Sequence, residues 1–370
     1  MHNPRAMNTQ AALTILSELR RSPASSRRDL EVATGLHVNT VARTVSALIR
    51  KGYLRESTAS RPAGRGRPHI PLEFDTERVC VAGLAIGQGA LEFVHADILG
   101  RPLSAVCRQE APDADALSKL LPRLMTRLMK PSLLAVGVGV TGFVDPRSMR
   151  ILFSSATPEH EVNLAPALKR LGATPMVLNS EVHALSARWL MNHGESRDED
   201  VLVVTLEDGA VGASFLAAGR PNRGCVLGGN ELGHMRLAVQ TDRCYCGGVG
   251  CVERVFSTPF LRQLTGTGQT NLVAALGRPQ LSGGAGRIIG LTAQALANAT
   301  IFTRPHRLVL AGSLATDAVF RAHFEQAWRA ELPVIFRSGI PLEWWPIQAT
   351  ISAETAVWLA IARVIQGSSL

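Results

Sequence analysis

Between Thr9 and Leu54, apolar residues recur at the three- and four-residue spacing of helices. In "TQAALTILSELRRS", Leu13, Leu16 and Leu19 share one face, with Ile15 beside them. "SSRRDLEVATG" opens on a Ser26-x-x-Asp29 capping box and closes on Gly35, a turn residue. "LHVNTVARTVSALIRKGYL" then sets Val38, Val41, Val45, Leu48 and Ile49 in a further apolar stripe. The pattern predicts three short helices followed by an extended piece. A glycine turn between the second and third is the spacing of a helix-turn-helix.

From Val79 the texture changes to apolar strand-like runs punctuated by glycines. "RVCVAGLAIGQGALEFVHADILG" predicts two strands about a Gly87-Gln88-Gly89 turn; "LLAVGVGVTGFVD" and "DVLVVTLEDGAVGASFLAAG" predict further strands ending in glycine-rich loops. Helical stretches fall between them, from Asp115 to Lys130 and from Val182 to His193. This alternation predicts an α/β architecture with ligand loops at the strand ends. The intervening "ESTASRPAGRGRPHIPLEF" is rich in Pro, Gly, Ser and Arg and reads as a wing running into a linker. The expected division is a winged helix-turn-helix over residues 1–60, a linker over 61–76 and a large α/β portion over 77–370.

Charge sharpens the division. The first 72 residues hold 12 Lys+Arg against 4 Asp+Glu, whereas the remaining 298 hold 27 against 26. A basic excess so focused beside a nearly neutral remainder points to a polyanion partner, which the helix-turn-helix makes operator DNA. On the second helix of the motif the expected DNA-facing residues are His37, Asn39, Thr40 and Arg43, with amide, hydroxyl and guanidinium groups suited to base edges and phosphates. In "GRGRP", Arg65 and Arg67 suit a narrow minor groove, although a plain basic linker explains them equally well. No apolar run approaches the roughly 18 residues of a membrane span and "MHNPRAMNTQ" lacks a signal-peptide core, so the expectation is a cytoplasmic protein with no membrane partner.

The densest chemistry lies in "HMRLAVQTDRCYCGGVGCVE". Cys244, Cys246 and Cys251 are separated by Gly247, Gly248 and Gly250, which let the backbone fold tightly enough for three thiolates to converge; His234 completes a Cys3His set. Four protein ligands leave no open position, the signature of structural Zn2+ rather than a catalytic metal. A redox pair suits the C-x-C spacing poorly. The other cysteines, Cys80, Cys107 and Cys225, are scattered among apolar or small residues and read as buried thiols.

The order of helix-turn-helix, Arg-rich linker, glycine-punctuated strands, "ELGH" and "CYCGGVGCVE" resembles the ROK family of repressors, open reading frames and kinases. The resemblance implies an actin-like or hexokinase-like fold of two α/β lobes, with a sugar in the cleft between them and a zinc knot nearby. Members with a DNA-binding domain resemble the repressors of N-acetylglucosamine and xylose operons; those without one are mostly sugar kinases.

Against the kinase pattern the phosphate loops are altered. Where kinases resemble Asp-x-Gly-Gly-Thr, this chain has Ala85-Ile86-Gly87-Gln88-Gly89, and the second loop reads "EDGAVGAS" from Glu207 to Ser214, with Asp208 bringing negative charge towards a phosphate. The catalytic Asp of the kinases follows an Asn; in "LNSEVHALS" Asn179 matches, and either Ser180 replaces the Asp or, one residue on, Glu181 supplies the carboxylate. The resemblance implies sugar contacts at Glu231, His234 and Glu253, with Asn179, Glu181 and Gly142 as further candidates. The resulting expectation is a sugar- or sugar-phosphate-responsive repressor without kinase activity, acting as a homodimer or dimer of dimers. A sugar kinase with an appended DNA-binding domain and a metal-responsive regulator are the alternatives.

Overall fold

The computed structural model describes residues 9–57, 70–87, 89–111, 113–154, 161–168, 172, 174–193, 196, 198–222, 229–266, 271–347 and 352–366. The head is formed by α1 (Thr9–Arg21), α2 (Arg27–Thr34) and α3 (Val38–Arg50). Ser26 and Asp29 form the predicted reciprocal cap on α2, and Gly35 ends that helix in the left-handed region, at φ 66°. Ile15, Leu16, Leu19, Leu30, Val41, Val45 and Leu48 fill the head's core. Val38 departs from the expected stripe, being half-exposed at the start of α3, and the Leu13 side chain lies outside the described residues. Strand β1 (Leu54–Glu56) pairs antiparallel with β2 (Leu72–Phe74), so the wing's second strand falls inside the stretch expected to be linker. Arg65 and Arg67 fall between these strands in the sequence and lie outside the described residues, as does Cys225.

Beyond the head, the chain builds the same five-stranded sheet twice. In the first lobe β3 (Cys80–Gly87), β4 (Ala90–Ala96) and β5 (Cys107–Glu110) form an antiparallel meander. After α4 (Ala114–Leu128), β6 (Leu133–Val140) adds parallel to β3. A small sheet of β7 (Gly142–Asp145), β8 (Arg150–Ser154) and β9 (Val162–Asn163) follows, then α5 (Ala165–Leu168) and β10 (Met176–Ser180), which adds parallel to β6. Helix α6 (Glu181–Asn192) leads into the second lobe, where β11 (Val201–Glu207), β12 (Ala210–Ala217) and β13 (Arg220–Pro221) repeat the meander. Short helices α7 (Val252–Val255), α8 (Thr258–Thr265) and α9 (Leu272–Leu276) precede the long α10 (Gly283–Thr303). Strand β14 (Arg307–Ala311), α11 (Ala318–Glu331) and β15 (Leu342–Trp345) complete the parallel side, in the order β13-β12-β11-β14-β15. Apolar residues occupy both faces of the central strands, as expected of sheets covered on both sides.

The last helix, α12 (Ala353–Gln366), returns to the first lobe and lies across β3 and β6. It approaches so closely that a Cβ on Gly83 would stand 1.9 Å from the Ala353 carbonyl oxygen, and one on Gly137 would stand 2.0 Å from that of Ala356. Glycine at these strand positions is therefore a packing requirement. Further along α12, Trp358 fits beneath Gly100, where a Cβ would meet its ring at 2.7 Å, and the Arg20 guanidinium of α1 stacks on the same ring 4.5 Å from its centroid. Arg20 also donates to the Ile98 carbonyl at 3.1 Å and to Asn192 Oδ1 at 3.3 Å, joining head, first lobe and the end of α6.

Gly83→Ala and Gly137→Ala are each expected to cost about 2–4 kcal/mol in denaturant unfolding, because backbone must move to admit the methyl group. Gly290→Ala in α10, where a Cβ meets nothing within 4 Å, is expected to raise stability by about 0.5–1 kcal/mol. Equal effects at all three positions would contradict this packing.

Candidate functional site

A cleft opens where the two lobes meet. Its first-lobe wall comprises Thr141, Gly142, Ser180 and Glu181; the second lobe supplies Thr205, residues 210–213, Glu231, His234, Tyr245 and Glu253. Local folding fixes each group. Gly142 has φ 135° and presses its backbone on Phe153, where a Cβ would meet the carbonyl oxygen at 2.2 Å. Ser180 ends β10 as the N-cap of α6, and its Oγ lies 2.7 Å from His183 Nδ1. Glu181 begins α6; its Oε2 accepts from Thr141 Oγ1 at 3.2 Å, while its buried Oε1 has no protein partner. Gly233 packs against β12 so tightly that a Cβ would stand 2.0 Å from the Val211 carbonyl oxygen, and this sets Glu231 and His234 at the cleft edge.

Three carboxyls converge in this confined space. Burial, opposed by the Thr141 bond and reinforced by Glu207 and Glu253, pushes Glu181 up to about 8. Burial likewise pushes Glu231 and Glu253 up to about 7 each. Near neutral pH such groups exchange between donor and acceptor forms, which suits a ligand rich in hydroxyls. The cleft is narrow, with about 70 Å³ open to water between these walls.

Beside the cleft the four predicted ligands do converge. The donor atoms of His234, Cys244, Cys246 and Cys251 all lie within 4.8 Å of one another. His234 Nδ1 is 3.6 Å from Cys244 Sγ, and the Cys246 and Cys251 sulfurs are 3.5 Å apart. A tetrahedral ion with bonds of ~2.3 Å places sulfur ligands about 3.8 Å apart, so the cluster fits a metal ion. Gly247 and Gly250 take left-handed φ values of 88° and 79°, and a Cβ on Gly248 would crowd Cys251 Sγ at 3.1 Å, as the glycine-cysteine pattern requires. Burial, followed by Arg254, lowers His234 to about 4 and keeps the imidazole neutral. Its Nε2 pairs with the Tyr245 hydroxyl at 3.1 Å, and its ring stacks on Phe143 with centroids 4.7 Å apart. Tyr245 and His234 thus line the cleft as a hydrogen-bonded pair.

Both acids of the "EDGAVGAS" loop are engaged. Glu207 accepts from the Ser313 amide at 2.7 Å and its hydroxyl at 2.5 Å. Asp208 accepts from the Thr258 amide at 2.7 Å and its hydroxyl at 2.5 Å. On the head, Asn39 and Arg43 are exposed along α3 and Thr40 is half-buried, whereas exposed His37 turns its Nδ1 back to accept from the Asn39 amide as an N-cap.

Of the expected sugar contacts, Glu231, His234, Glu253, Glu181 and Gly142 line one cleft. Asn179 does not, its Oδ1 accepting from the Ser180 amide at 3.0 Å instead. Tyr245 and Thr141 went unrecognised by sequence reasoning. Tyr245 sits inside the cysteine motif, the one signal that could have raised it.

The ROK family profile matches residues 106–332. A xylose repressor of Caldicellulosiruptor bescii is 23% identical over 255 residues, covering 66% of this chain and 63% of that relative. The dual transcriptional regulator NagC of Escherichia coli is 24% identical over 250 residues, covering 64% of this chain and 60% of NagC. The matched region is thus under two thirds of the length of these relatives. Among solved structures, a ROK transcriptional regulator homologous to the E. coli MLC protein superposes with a TM-score of 0.74 at 18% identity, over 98% of this chain and 100% of that one. A ROK glucokinase from Streptomyces griseus, in complex with glucose and AMPPNP, gives 0.60 at 19% identity over 76% and 99%. These likenesses give the two-lobed hexokinase-like fold.

Glu181 is a raised carboxyl, so its proton favours the folded state below about pH 4.5, and that contribution drains away as pH rises to about 8. Glu181→Gln cannot ionise. In thermal melts the variant is expected to match the parent near pH 5 and to exceed it near pH 8.5 by the equivalent of about 2 kcal/mol, allowing for partial exposure. A difference independent of pH would contradict the assignment.

Proposed function

The chain belongs to the ROK family, and from that premise we propose that it is a sugar-responsive, DNA-binding repressor of a carbohydrate uptake or catabolism operon. The observation that carries this reading is the course of α6. The helix starts with Glu181 in the cleft and ends at Asn192 on Arg20 of the head, about 17 Å away at 1.5 Å per residue. Along the way it packs against α12 and β12, and Ser214 Oγ donates to Ser186 Oγ at 2.9 Å across the lobe boundary. A ligand that parts the lobes moves this helix, and the helix moves the head. The switch works to the extent that the ligand binds the two arrangements with different affinity.

On the head, Asn39, Thr40 and Arg43 are assigned to the major groove, with Val38 offering an apolar contact for a thymine methyl. Arg65 and Arg67, between the wing strands, are assigned to the minor groove. A homodimer, or dimer of dimers, sets two such helices about 34 Å apart on a pseudo-palindromic operator. The xylose and N-acetylglucosamine repressors among the relatives motivate a pentose, hexose or N-acetylamino sugar as effector.

Zn2+ is the ion assigned to His234, Cys244, Cys246 and Cys251. Its role is structural: it neutralises thiolates, among them Cys251, whose thiol is otherwise pushed up to about 12 by burial and its sulfur neighbours. The knot fixes the loop carrying Tyr245 and Glu253 at the cleft. Kinase activity is not part of this function. In the loop that corresponds to a phosphate cradle, Glu207 and Asp208 instead present carboxylates, which accept from the Ser313 and Thr258 amides.

Gel-shift titration of DNA from upstream of the gene should give a salt-sensitive, sequence-selective complex that a sugar dissociates, while coupled assays across hexoses and amino sugars show no ATP turnover. Steady turnover, or no selective complex with or without sugar, would overturn the proposal. His234→Ala should lose both bound zinc, measured by mass spectrometry of the native protein, and the effector response; Glu253→Gln should keep the zinc and weaken only the effector response.

A further inference from the structure

A cavity of about 550 Å³, far larger than the sugar cleft, lies at the joint between the head and the first lobe. Its walls include Ser17, Glu18, Arg20 and Arg21 of α1, Arg101 of the β4–β5 connection and Asn192 at the end of α6. Three arginines and a single carboxylate residue, Glu18, thus line it. That carboxylate is taken: Arg21 Nη2 lies 2.5 Å from Glu18 Oε2.

Among the described residues, neither Arg20 nor Arg101 forms an ion pair within 4.0 Å. The acid closest in charge to Arg20 is Asp97, and its Oδ1 already accepts from the Leu99 and Arg101 amides at 2.9 Å each. Arg20 is held between the Trp358 ring, the Ile98 carbonyl and Asn192, yet these two hydrogen bonds leave further Nη donors unused. A pre-oriented guanidinium beside open space, with a second one on the facing wall, is the arrangement that captures a phosphate. The hydroxyl of Ser17 and the amide of Asn192 supply neutral partners suited to ligand hydroxyls.

We propose that this cavity is a second ligand site, distinct from the cleft, which takes a small phosphorylated polyol, and that the occupant bridges the head and the first lobe. Bound there, the phosphate neutralises the two unpaired guanidiniums and ties α1 to the β4–β5 connection. The head would then be held against the lobe whatever occupies the cleft.

The test is calorimetric titration of the full chain with glucose 6-phosphate, glucose and inorganic phosphate. Saturable binding of the ester is expected with a Kd at or below about 1 mM. Arg101→Glu, at an exposed side chain, should weaken it at least tenfold, as should Ser17→Trp, which fills the cavity. Glu253→Gln, in the cleft, should leave it unchanged, so a failure here is separable from a failure of the sugar-repressor reading. Three results would overturn the site: no saturable binding of the ester, binding insensitive to Arg101→Glu but lost in Glu253→Gln, or inorganic phosphate binding as tightly as the ester.

Discussion

The contact on which most of the molecule depends is the close approach of α12 to the backbone of the first-lobe sheet. Glycines 83 and 137 let the helix sit directly on β3 and β6. Once α12 is so placed, its other faces fix what surrounds it. Helix α6 packs along it, and Trp358 is wedged between Gly100 and Arg20, so that a helix from the extreme C-terminus anchors a head from the extreme N-terminus. A wider helix-to-sheet gap would loosen the head, α6 and the cleft together, because interiors are packed too densely to absorb the change locally.

The cleft places an opposite demand on the fold. Burial, with smaller contributions from neighbouring carboxylates at Glu181 and Glu253, raises the proton affinity of three carboxyls, and one Glu181 oxygen has no protein partner. Such a site is costly when closed on itself and is relieved by a ligand that brings hydroxyls. The loop acids Glu207 and Asp208 show the contrasting solution: each is satisfied internally, by an amide and a hydroxyl.

Much of this was legible in the sequence, for local reasons. The capping box at Ser26 and Asp29, the turn at Gly35 and the glycine-spaced cysteines each encode their geometry within a few residues, and the structure reproduces them. The second wing strand was hidden because "LEF" follows a Pro- and Gly-rich run that reads as linker. The approach of α12 was invisible: Gly83 and Gly137 look like ordinary strand glycines until their partner, more than two hundred residues away, is in place. Arg20 was equally silent, one arginine at a helix end whose meaning comes from Trp358 and Asn192. Of the cleft, the acids were legible through the family resemblance, whereas Tyr245 and Thr141 belong to it only through folding.

The claim that joins these observations is that α6 transmits the state of the cleft to the head through Asn192 and Arg20. Its most direct measurement is operator affinity with and without sugar in Asn192→Ala, beside calorimetric sugar binding to the same variant. The account predicts that sugar binds the variant as it binds the parent while operator affinity no longer responds to it. A full sugar response retained in Asn192→Ala would contradict it.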